Sequence, residues 1–305
     1  MLTPEQAAER ARNIGASEVA ALFDLHPHLT KWELWMRKAG RLPQPETASE
    51  WAVWGNVLEP AIARGIATDQ GWLLRKVRRY HQHPNVQGMG ASLDFEVWGE
   101  DGVAGVLEIK NVDRFIFARW PDGEPPLHFE LQLQHQMACA PRKRLGFLGM
   151  LVGGNTPVVK RYARHPAAIA KLEAAVTAFW QSVAADRPPE PDFERDCTMI
   201  SLLYSHAEPG LTRDLRGDRQ FEALCAEYLE ASAAMSAAGS LKQACKAKIL
   251  DIIREAEVAV GNEFKVSAPA VPPGRVEAYD RAGYRAFLVR PLNPKPRTGD
   301  ANGRS

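Results

Sequence analysis

The sequence predicts an α/β fold in which helices flank one mixed β-sheet, followed by a separate helical region. Helix-like segments come first, and a series of short strand-like runs follows them, interrupted by one helix-like run. A stretch rich in proline and charge, RPPEPDFERD, then precedes a region with its own helical spacing. We therefore expect a core over residues 1–190, a linker over 191–216 and a second region beyond the linker.

The helices of the first part are predicted from capping residues and from the spacing of apolar side chains. Ser17 can cap a short helix, and Thr30 with Glu33 forms a capping-box pattern before the run WELWMRKAG. Thr47 and Glu50 form a second such pair before a longer helix, whose apolar residues recur at spacings of three and four. These patterns place several helices before the sheet.

The sheet is predicted from runs rich in β-branched and aromatic residues. The strand-like runs cover residues 72–80, 89–98, 103–110, 145–152 and 157–163. One helix-like run at 128–140 interrupts them, and another at 166–185 ends the core. This order indicates a mixed sheet with helices packed on its faces.

The second region is predicted to hold a helical hairpin over residues 217–257. Apolar residues follow helical spacing on both sides of Gly239, which lies between the two halves. Short strand-like runs predict a small β-rich appendage over 258–292, and the polar, proline-containing end predicts a disordered tail over 293–305. The hairpin could pack on the core, mediate assembly or close over a nucleic acid.

Composition limits the class of protein. The 305 residues are 45% hydrophobic and 25% charged, as in ordinary globular proteins, and the formal net charge is +1. Binding to nucleic acid would therefore depend on local basic patches. The cysteines are far apart and form no CxxC pair, which argues against a zinc site, an iron–sulfur site and a disulfide framework. Without a signal-peptide or membrane-spanning pattern, the sequence predicts a cytoplasmic protein.

Charged residues in two of the predicted strands form a candidate metal site. Glu108 and Lys110 are two residues apart in the run LEIK, so they project from the same face of a strand. Asp94, in the preceding run, can reach that face across a hairpin. Two carboxylates and a backbone carbonyl suit Mg²⁺ or Mn²⁺, and a neighbouring lysine can orient or deprotonate a metal-bound water. The alternative is an exposed strand face with a Lys–Glu pair.

Further polar residues lie in segments that otherwise look buried. Glu59 stands in the middle of an apolar helix, and the run LQLQHQM contains Gln132, Gln134 and Gln136. A buried polar network or an edge that contacts phosphate would explain the glutamines. The alternatives are a solvated helix face for the glutamines and a position at the edge of the core for Glu59.

A basic run, RKVRRYHQH, covers residues 75–83. Arg75 and Arg78 could follow a DNA backbone, or half of the run could be a solvated strand face. His81 and His83 have a spacing compatible with metal binding, but a loop or an edge strand explains them better.

Taken together, these motifs resemble a known family. The runs RARNIGASE, WGNVLEP, SLD, LEIK and LQLQHQM, in this order, resemble the YqaJ-like viral recombinase family, the phage lambda exonuclease-like branch of the PD-(D/E)XK nucleases. The resemblance covers about residues 10–185 and implies a PD-(D/E)XK restriction-endonuclease-like core. Leu93 stands before Asp94 where the superfamily's name expects a proline, which leaves the ligand set intact.

The resemblance also implies a role for each residue of the metal site. Asp94 would bridge two ions, Mg²⁺ or else Mn²⁺, while Glu108 would bind one of them and the carbonyl of Ile109 would complete the protein ligands. Glu59 would support the second ion through water. Lys110 would activate or orient the attacking water.

Contacts to the DNA substrate are implied in the same way. Gln134 would position water and phosphate near the scissile bond. A pocket of arginine and serine would hold a 5′-terminal phosphate, and Ser17 and Ser92 stand at the matching positions. Arg10 has the matching spacing for the arginine of this pocket, with Arg12 as the alternative, and an arginine fork can pair two phosphate oxygens.

The implied function is 5′ to 3′ digestion of linear double-stranded DNA from 5′-phosphorylated ends, which leaves single-stranded DNA for phage-type recombination in a bacterial cell. By the same resemblance, a single-strand annealing protein would be a partner and the chain would form a toroidal trimer. A PD-(D/E)XK endonuclease and a non-catalytic DNA-binding or assembly module are the alternatives. The intact set of Asp94, Glu108 and Lys110 argues against the module.

Overall fold

The computed structural model of the chain divides into two compact units, Met1–Leu203 and Tyr204–Ser305. It describes residues 9–43, 50–99, 102 and 104–270. Within these ranges no helix combines the length and apolar character needed to cross a membrane.

Helices precede the sheet in the described part of the first unit. A 3-10 helix covers Val19–Phe23, helix α1 covers Lys31–Lys38 and helix α2 covers Glu50–Asp69. The predicted cap of α1 is confirmed, since the side chain of Thr30 accepts a hydrogen bond from the backbone N–H of Glu33 at 2.9 Å. The predicted Ser17 cap is wrong, because the 3-10 helix begins after Glu18 and has no side-chain cap. Thr47 lies outside the described residues.

A five-stranded mixed sheet forms the centre of the first unit. In chain order the strands are β1 Leu73–Lys76, β2 Tyr80–Gln82, β3 Gly90–Ser92, β4 Phe95–Trp98, β5 Ala104–Val112, β6 Leu145–Val152 and β7 Thr156–Ala163. The central sheet has the order β1-β4-β5-β6-β7, and β2 pairs with β3 separately. Strands β5 and β6 are parallel, and the other neighbours are antiparallel. The predicted mixed sheet is confirmed, with each of the first two predicted runs divided into two strands.

Helices cover both faces of this sheet. Helix α3 covers Arg114–Phe117, α4 covers Leu127–Cys139 and α5 covers Pro166–Ala184. On one face, Ile62 of α2 shares a buried apolar cluster with Leu107 and Ile109 of β5. On the other face, Leu133 of α4 packs with Leu148 of β6. Alternate residues of β5 therefore face α2 and α4, which sets the direction of every side chain of this strand.

The segment after α5 is not a linker throughout. Helix α6 covers Cys197–Leu203, and the fully buried side chain of Asp196 accepts a hydrogen bond from Thr30 Oγ1 at 2.6 Å. The backbone N–H of Asp192 also donates to Asp196, at 2.8 Å. The prediction of a linker over 191–216 is therefore wrong for its first half. The polar composition of this segment concealed a buried carboxylate whose partner lies 166 residues away in the chain.

The second unit contains one long helix, α7, over Arg219–Ile253, and the antiparallel strands β8 Val258–Val260 and β9 Lys265–Ser267. The predicted helical hairpin over 217–257 is wrong, because Gly239 lies inside a continuous helix. One glycine costs a helix only about 1 kcal/mol relative to alanine, and the neighbouring alanines favour helix. Strands β8 and β9 lie within the predicted appendage. Residues 271–305, including the predicted tail, lie outside the described residues.

His135 of α4 makes the stability of the first unit depend on pH. Its ring is fully buried, and Nε2 donates a hydrogen bond to the carbonyl oxygen of Gly90 at 3.0 Å. Burial lowers the pKa of His135 to about 4. In the unfolded chain the His135 ring binds a second proton, and becomes charged, near pH 6.5. In the folded chain it does so only near pH 4. The free energy of unfolding therefore falls as the pH is lowered through this window, by up to about 1.4 kcal/mol per pH unit.

We expect His135→Gln to reduce the loss of stability between pH 7.5 and pH 5. Urea unfolding at the two pH values measures this loss. The other histidines contribute equally to the pH dependence of wild type and variant, so the difference between the two proteins reports on His135. The matched control is His206→Gln, at an exposed histidine of the second unit. An unchanged pH dependence in His135→Gln would contradict the linkage.

Candidate active site

Strand β5 presents Glu108 and Lys110 on the face that α4 covers. Lys110 Nζ lies 2.7 Å from Glu108 Oε1, and the Glu108 residue is only 4% exposed. Burial alone would lower the pKa of Lys110, but the attraction of Glu108 outweighs burial and the pKa is raised. The lysine is therefore held as an ammonium beside a buried carboxylate, as their spacing in the strand predicted.

Asp94 lies in the turn between β3 and β4. Its Oδ2 accepts a hydrogen bond from the backbone N–H of Ile109 at 3.1 Å, which fixes it next to β5. Burial and the repulsion of Glu108 and Glu59 raise the pKa of Asp94 well above its usual value, while the Ile109 N–H and Lys110 act in the opposite direction. The site thus brings together carboxylates that are repelled in the absence of a further positive charge.

Two glutamines of α4 hold the carboxylate of Glu108. Gln132 Nε2 donates to Oε1 and Gln136 Nε2 donates to Oε2, each at 2.6 Å. Gln136 Nε2 also lies 3.3 Å from the carbonyl oxygen of Ser92. Burial would raise the pKa of Glu108, but Lys110 and these two amides together lower it. Glu108 therefore stays ionised, and its position depends on α4 as well as on β5.

Gln134 does not reach this site. Its Nε2 donates to the carbonyl oxygen of Ala163 at 2.8 Å, and its Oε1 accepts from the backbone N–H of His165 at 2.9 Å. The predicted role of Gln134 in positioning water and phosphate is therefore wrong. Residues two apart in a helix point to different faces, so Gln134 joins α4 to the end of β7 while Gln132 and Gln136 face the site.

Glu59 approaches the site from α2. It forms an ion pair with Lys76 of β1, and its charge contributes to the raised pKa of Asp94. Lys76 was not expected at this position from the sequence. Glu59 is therefore close to the carboxylates, with a cation of its own, and its support of a second ion through water stays a prediction.

A cavity of about 190 Å³ opens onto these groups. Its lining includes Asp94, Glu108, Lys110 and Gln132, and also Arg10, Ser17 and Ser92. The residues expected at a metal site and those expected at a terminal phosphate thus share one cavity. Arg12, the alternative to Arg10, is not among the described residues that line it.

Sequence reasoning missed Tyr80, which also lines the cavity. Its hydroxyl oxygen is buried and has no hydrogen-bond partner among the described residues. Burial raises the pKa of Tyr80, so the group is a neutral hydroxyl that can donate. A tyrosine within a basic strand-like run was the available signal, but it is too common to identify a site.

One arginine of the basic run makes contacts within the fold. Arg75 forms an ion pair with the buried carboxylate of Glu96, and its guanidinium lies 5.0 Å from the centre of the Trp98 ring. Arg78 is exposed. The contact of either arginine with a DNA backbone stays a prediction, although Arg75 already has a partner within the fold.

The donors in the cavity fit a divalent ion that would take only some of its ligands from the protein and the others from water. Among the described residues, no three His, Cys, Asp or Glu side chains are arranged to enclose a metal ion. Mg²⁺ differs from zinc in this respect, because it commonly takes one or two carboxylates and keeps several waters. Asp94 and Glu108 supply two carboxylates, and a cation between them would relieve the repulsion that raises the pKa of Asp94. The carbonyl of Ile109 is the third candidate ligand.

Comparisons with known proteins show which family the chain resembles. Residues 7–143 match the family model of the YqaJ-like viral recombinase domain. The Bacillus subtilis (strain 168) protein described as "Uncharacterized protein YqaJ" is 30% identical over 181 residues, which are 59% of this chain and 56% of that relative. The chain therefore spans little more than half of the relative's length. The resemblance predicted from the motifs is confirmed.

Two solved structures are similar to this chain. An alkaline exonuclease (LHK-Exo) from Laribacter hongkongensis has a TM-score of 0.50 and 24% identity, with 65% of this chain and 100% of that chain covered. A second structure, of LHK-Exo in complex with dAMP, has a TM-score of 0.49 and 23% identity, with 64% and 97% covered. The likeness to the first of these structures confirms the predicted fold class.

We expect Asp94→Asn to stabilise the protein in the absence of divalent metal. The substitution removes the charge that Glu108 and Glu59 repel, so at pH 8 with EDTA the free energy of unfolding should rise by about 1 kcal/mol or more. Mg²⁺ should stabilise the wild type and leave the variant unchanged, because a ligand stabilises only a fold that binds it. Urea unfolding with EDTA or Mg²⁺ measures both effects.

The matched control for this experiment is Asp69→Asn, at the exposed end of α2. It should behave like the wild type under both conditions. A loss of stability of Asp94→Asn in EDTA, or equal stabilisation of variant and wild type by Mg²⁺, would show that Asp94 is not part of a metal site.

Proposed function

We propose that this chain, whose residues 7–143 match the model of the YqaJ-like viral recombinase domain, is a metal-dependent DNA exonuclease. It would digest linear double-stranded DNA from a 5′-phosphorylated end in the 5′ to 3′ direction and leave single-stranded DNA for recombination. The observation that carries the proposal is the cavity in which Asp94, Glu108 and Lys110 meet Arg10, Ser17 and Ser92. By the resemblance, we expect a trimer and an annealing-protein partner.

The residues of the cavity would divide the work of phosphodiester hydrolysis. Asp94, Glu108 and the carbonyl of Ile109 would hold Mg²⁺, with Mn²⁺ as a substitute, and Glu59 would support a second ion through water. A bound divalent ion supplies a Lewis acid that increases the acidity of a coordinated water and neutralises phosphate charge. Gln132 and Gln136 keep Glu108 ionised and in place. This arrangement makes both glutamines positioning residues.

Lys110 is suited to orient the attacking water or to stabilise charge on the phosphate. The attraction of Glu108 raises the pKa of Lys110, so it carries a proton at neutral pH and donates hydrogen bonds. Of the two roles implied by the resemblance, orientation of water therefore fits the geometry better than removal of its proton.

Binding of a terminal phosphate would use other residues that line the same cavity. The guanidinium of Arg10 can pair two phosphate oxygens, and the hydroxyls of Ser17 and Ser92 can donate to a phosphate. The buried hydroxyl of Tyr80, which has no partner among the described residues, is a further donor at this position. A phosphate site beside a hydrolytic site favours attack near a DNA end.

The activity is tested with three DNA substrates: a linear duplex with a 5′-phosphate, the same duplex with a 5′-hydroxyl, and a covalently closed circle. We expect Mg²⁺-dependent loss of the phosphorylated linear DNA, no cutting of the circle, and no reaction in EDTA. Lys110→Ala should reduce the rate by at least about 100-fold. Lys160→Ala, which removes a lysine that pairs with Glu124 at the surface, is the matched control and should keep the wild-type rate.

Two outcomes would contradict the exonuclease. Cutting of the closed circle would show an endonuclease. Absence of metal-dependent loss of any substrate would exclude hydrolysis at this cavity and favour a non-catalytic DNA-binding module.

The choice between Arg10 and Arg12 gives a separate prediction. Arg10→Ala should reduce the preference for 5′-phosphorylated over 5′-hydroxyl DNA by about 10-fold or more, because a charge-assisted hydrogen-bonded pair is lost. Arg12→Ala should keep the preference, since Arg12 does not line the cavity. Initial rates on the two linear substrates measure the preference. Loss of the preference in Arg12→Ala alone would reverse the assignment.

A further inference from the structure

Helix α7 carries a heptad repeat that the proposed nuclease site does not use. The a positions of this repeat are Phe221, Tyr228, Met235, Lys242 and Ile249, and the d positions are Leu224, Ala231, Ala238, Cys245 and Ile252. Lys242 is the one charged residue among them. Apolar residues that keep a strict seven-residue repeat indicate a coiled coil, in which the same face of a helix stays against its partner. The helix lies outside residues 7–143, the part that matches the family model.

The heptad face is exposed in the described part of the second unit. No side chain of α7 is buried there, and Met235 and Ile252 are 75% and 79% exposed. The helix has 35 residues, which corresponds to about 52 Å at a rise of 1.5 Å per residue. An apolar stripe of this length on a soluble protein marks an interaction site. Side chains with heptad spacing fit between the side chains of a second helix, so the expected partner of this stripe is a helix.

The distribution of charge along α7 favours a second copy of the same helix, in the antiparallel orientation. The first half of the helix carries Arg219, Glu222, Glu227 and Glu230, and the second half carries Lys242, Lys246, Lys248 and Asp251. The first half is therefore net negative and the second half net positive. Antiparallel copies bring halves of opposite sign together, whereas parallel copies would bring like charges together.

An antiparallel register pairs every a position with a d position. The opposed residues are Phe221 with Ile252, Leu224 with Ile249, Tyr228 with Cys245, Ala231 with Lys242, and Met235 with Ala238. Large side chains meet small ones near the centre, which allows close packing of the two helices. Lys242 faces an alanine, so its ammonium can extend past the interface into water. Glu227 and Lys248 are both g positions, which flank the same side of an antiparallel pair, so Glu227 lies beside Lys248 of the other copy in this register.

We propose that α7 is an oligomerisation helix whose heptad face forms an antiparallel coiled coil with α7 of a second copy of the chain. This contact is two-fold, so it is separate from the contacts of the expected trimer and would join chains of two trimers. The proposal is independent of the nuclease activity, because none of its residues belongs to the cavity of the first unit. Residues 271–305, the first unit of the same chain, or a different protein are the other possible occupants of this face.

Sedimentation equilibrium of the full chain tests the interface. Met235→Glu places a carboxylate in the centre of the pairing surface, and we expect the mass of the assembly to fall at least twofold. Ala233→Glu introduces the same charge on the opposite face of the helix and should keep the wild-type mass. Because both positions are exposed, neither change should unfold the protein, which the far-ultraviolet circular dichroism spectrum checks. Equal masses for wild type and Met235→Glu would overturn the proposal, since any occupant other than a second copy gives this result.

A charge exchange tests the orientation. Glu227→Lys and Lys248→Glu should each weaken self-association about threefold or more, because each change affects two equivalent contacts in the pair. The double variant should restore the wild-type association, since the opposite charges meet again in the antiparallel register. Within one helix Glu227 and Lys248 are 21 positions apart, about 31 Å along the axis, so they cannot contact each other there and restoration in the double variant must come from the second copy. A double variant no stronger than the single variants would overturn the antiparallel pairing.

Discussion

The buried carboxylate of Glu108 is the group on which the candidate site depends. A buried charge is tolerated only when hydrogen bonds and an opposite charge satisfy it. The carboxylate of Glu108 accepts hydrogen bonds from Lys110 of its own strand and from Gln132 and Gln136 of α4. These contacts join the central strand to the helix that covers it. Loss of any one donor would leave part of the charge unsatisfied, so the network fixes both the ionisation of Glu108 and the position of α4.

Asp94, in the same cavity, is in the opposite electrostatic situation. It has a backbone N–H of Ile109 as a partner, but the neighbouring carboxylates repel it and burial disfavours its charge. Such unfavourable electrostatics cost stability and are typical of functional sites. The contrast between a satisfied and a repelled carboxylate, side by side, is what makes a divalent ion fit this cavity. Arg10 and Tyr80 line the same cavity, and they are the donors that we propose for a phosphate.

Much of the fold could be predicted from the sequence because strand and helix periodicities are local. The two-residue spacing of Glu108 and Lys110 fixed their common face, and the strands and helices around them were found with small errors in their ends. Contacts between distant segments could not be predicted. The rotation of α4 decides which glutamines face the site, so Gln134 was wrongly chosen. The burial of Asp196 depends on a partner far away in the chain, and Gly239 gives no sign that its helix continues.

The central claim is that Asp94 and Glu108 hold a divalent ion beside Lys110. Its most direct test is diffraction from crystals of the protein soaked in Mn²⁺, recorded where manganese scatters anomalously. The account predicts an anomalous peak in the cavity, in contact with the carboxylates of Asp94 and Glu108 and with the carbonyl oxygen of Ile109. A cavity without such a peak at saturating Mn²⁺, with Lys110 still paired to Glu108, would contradict it.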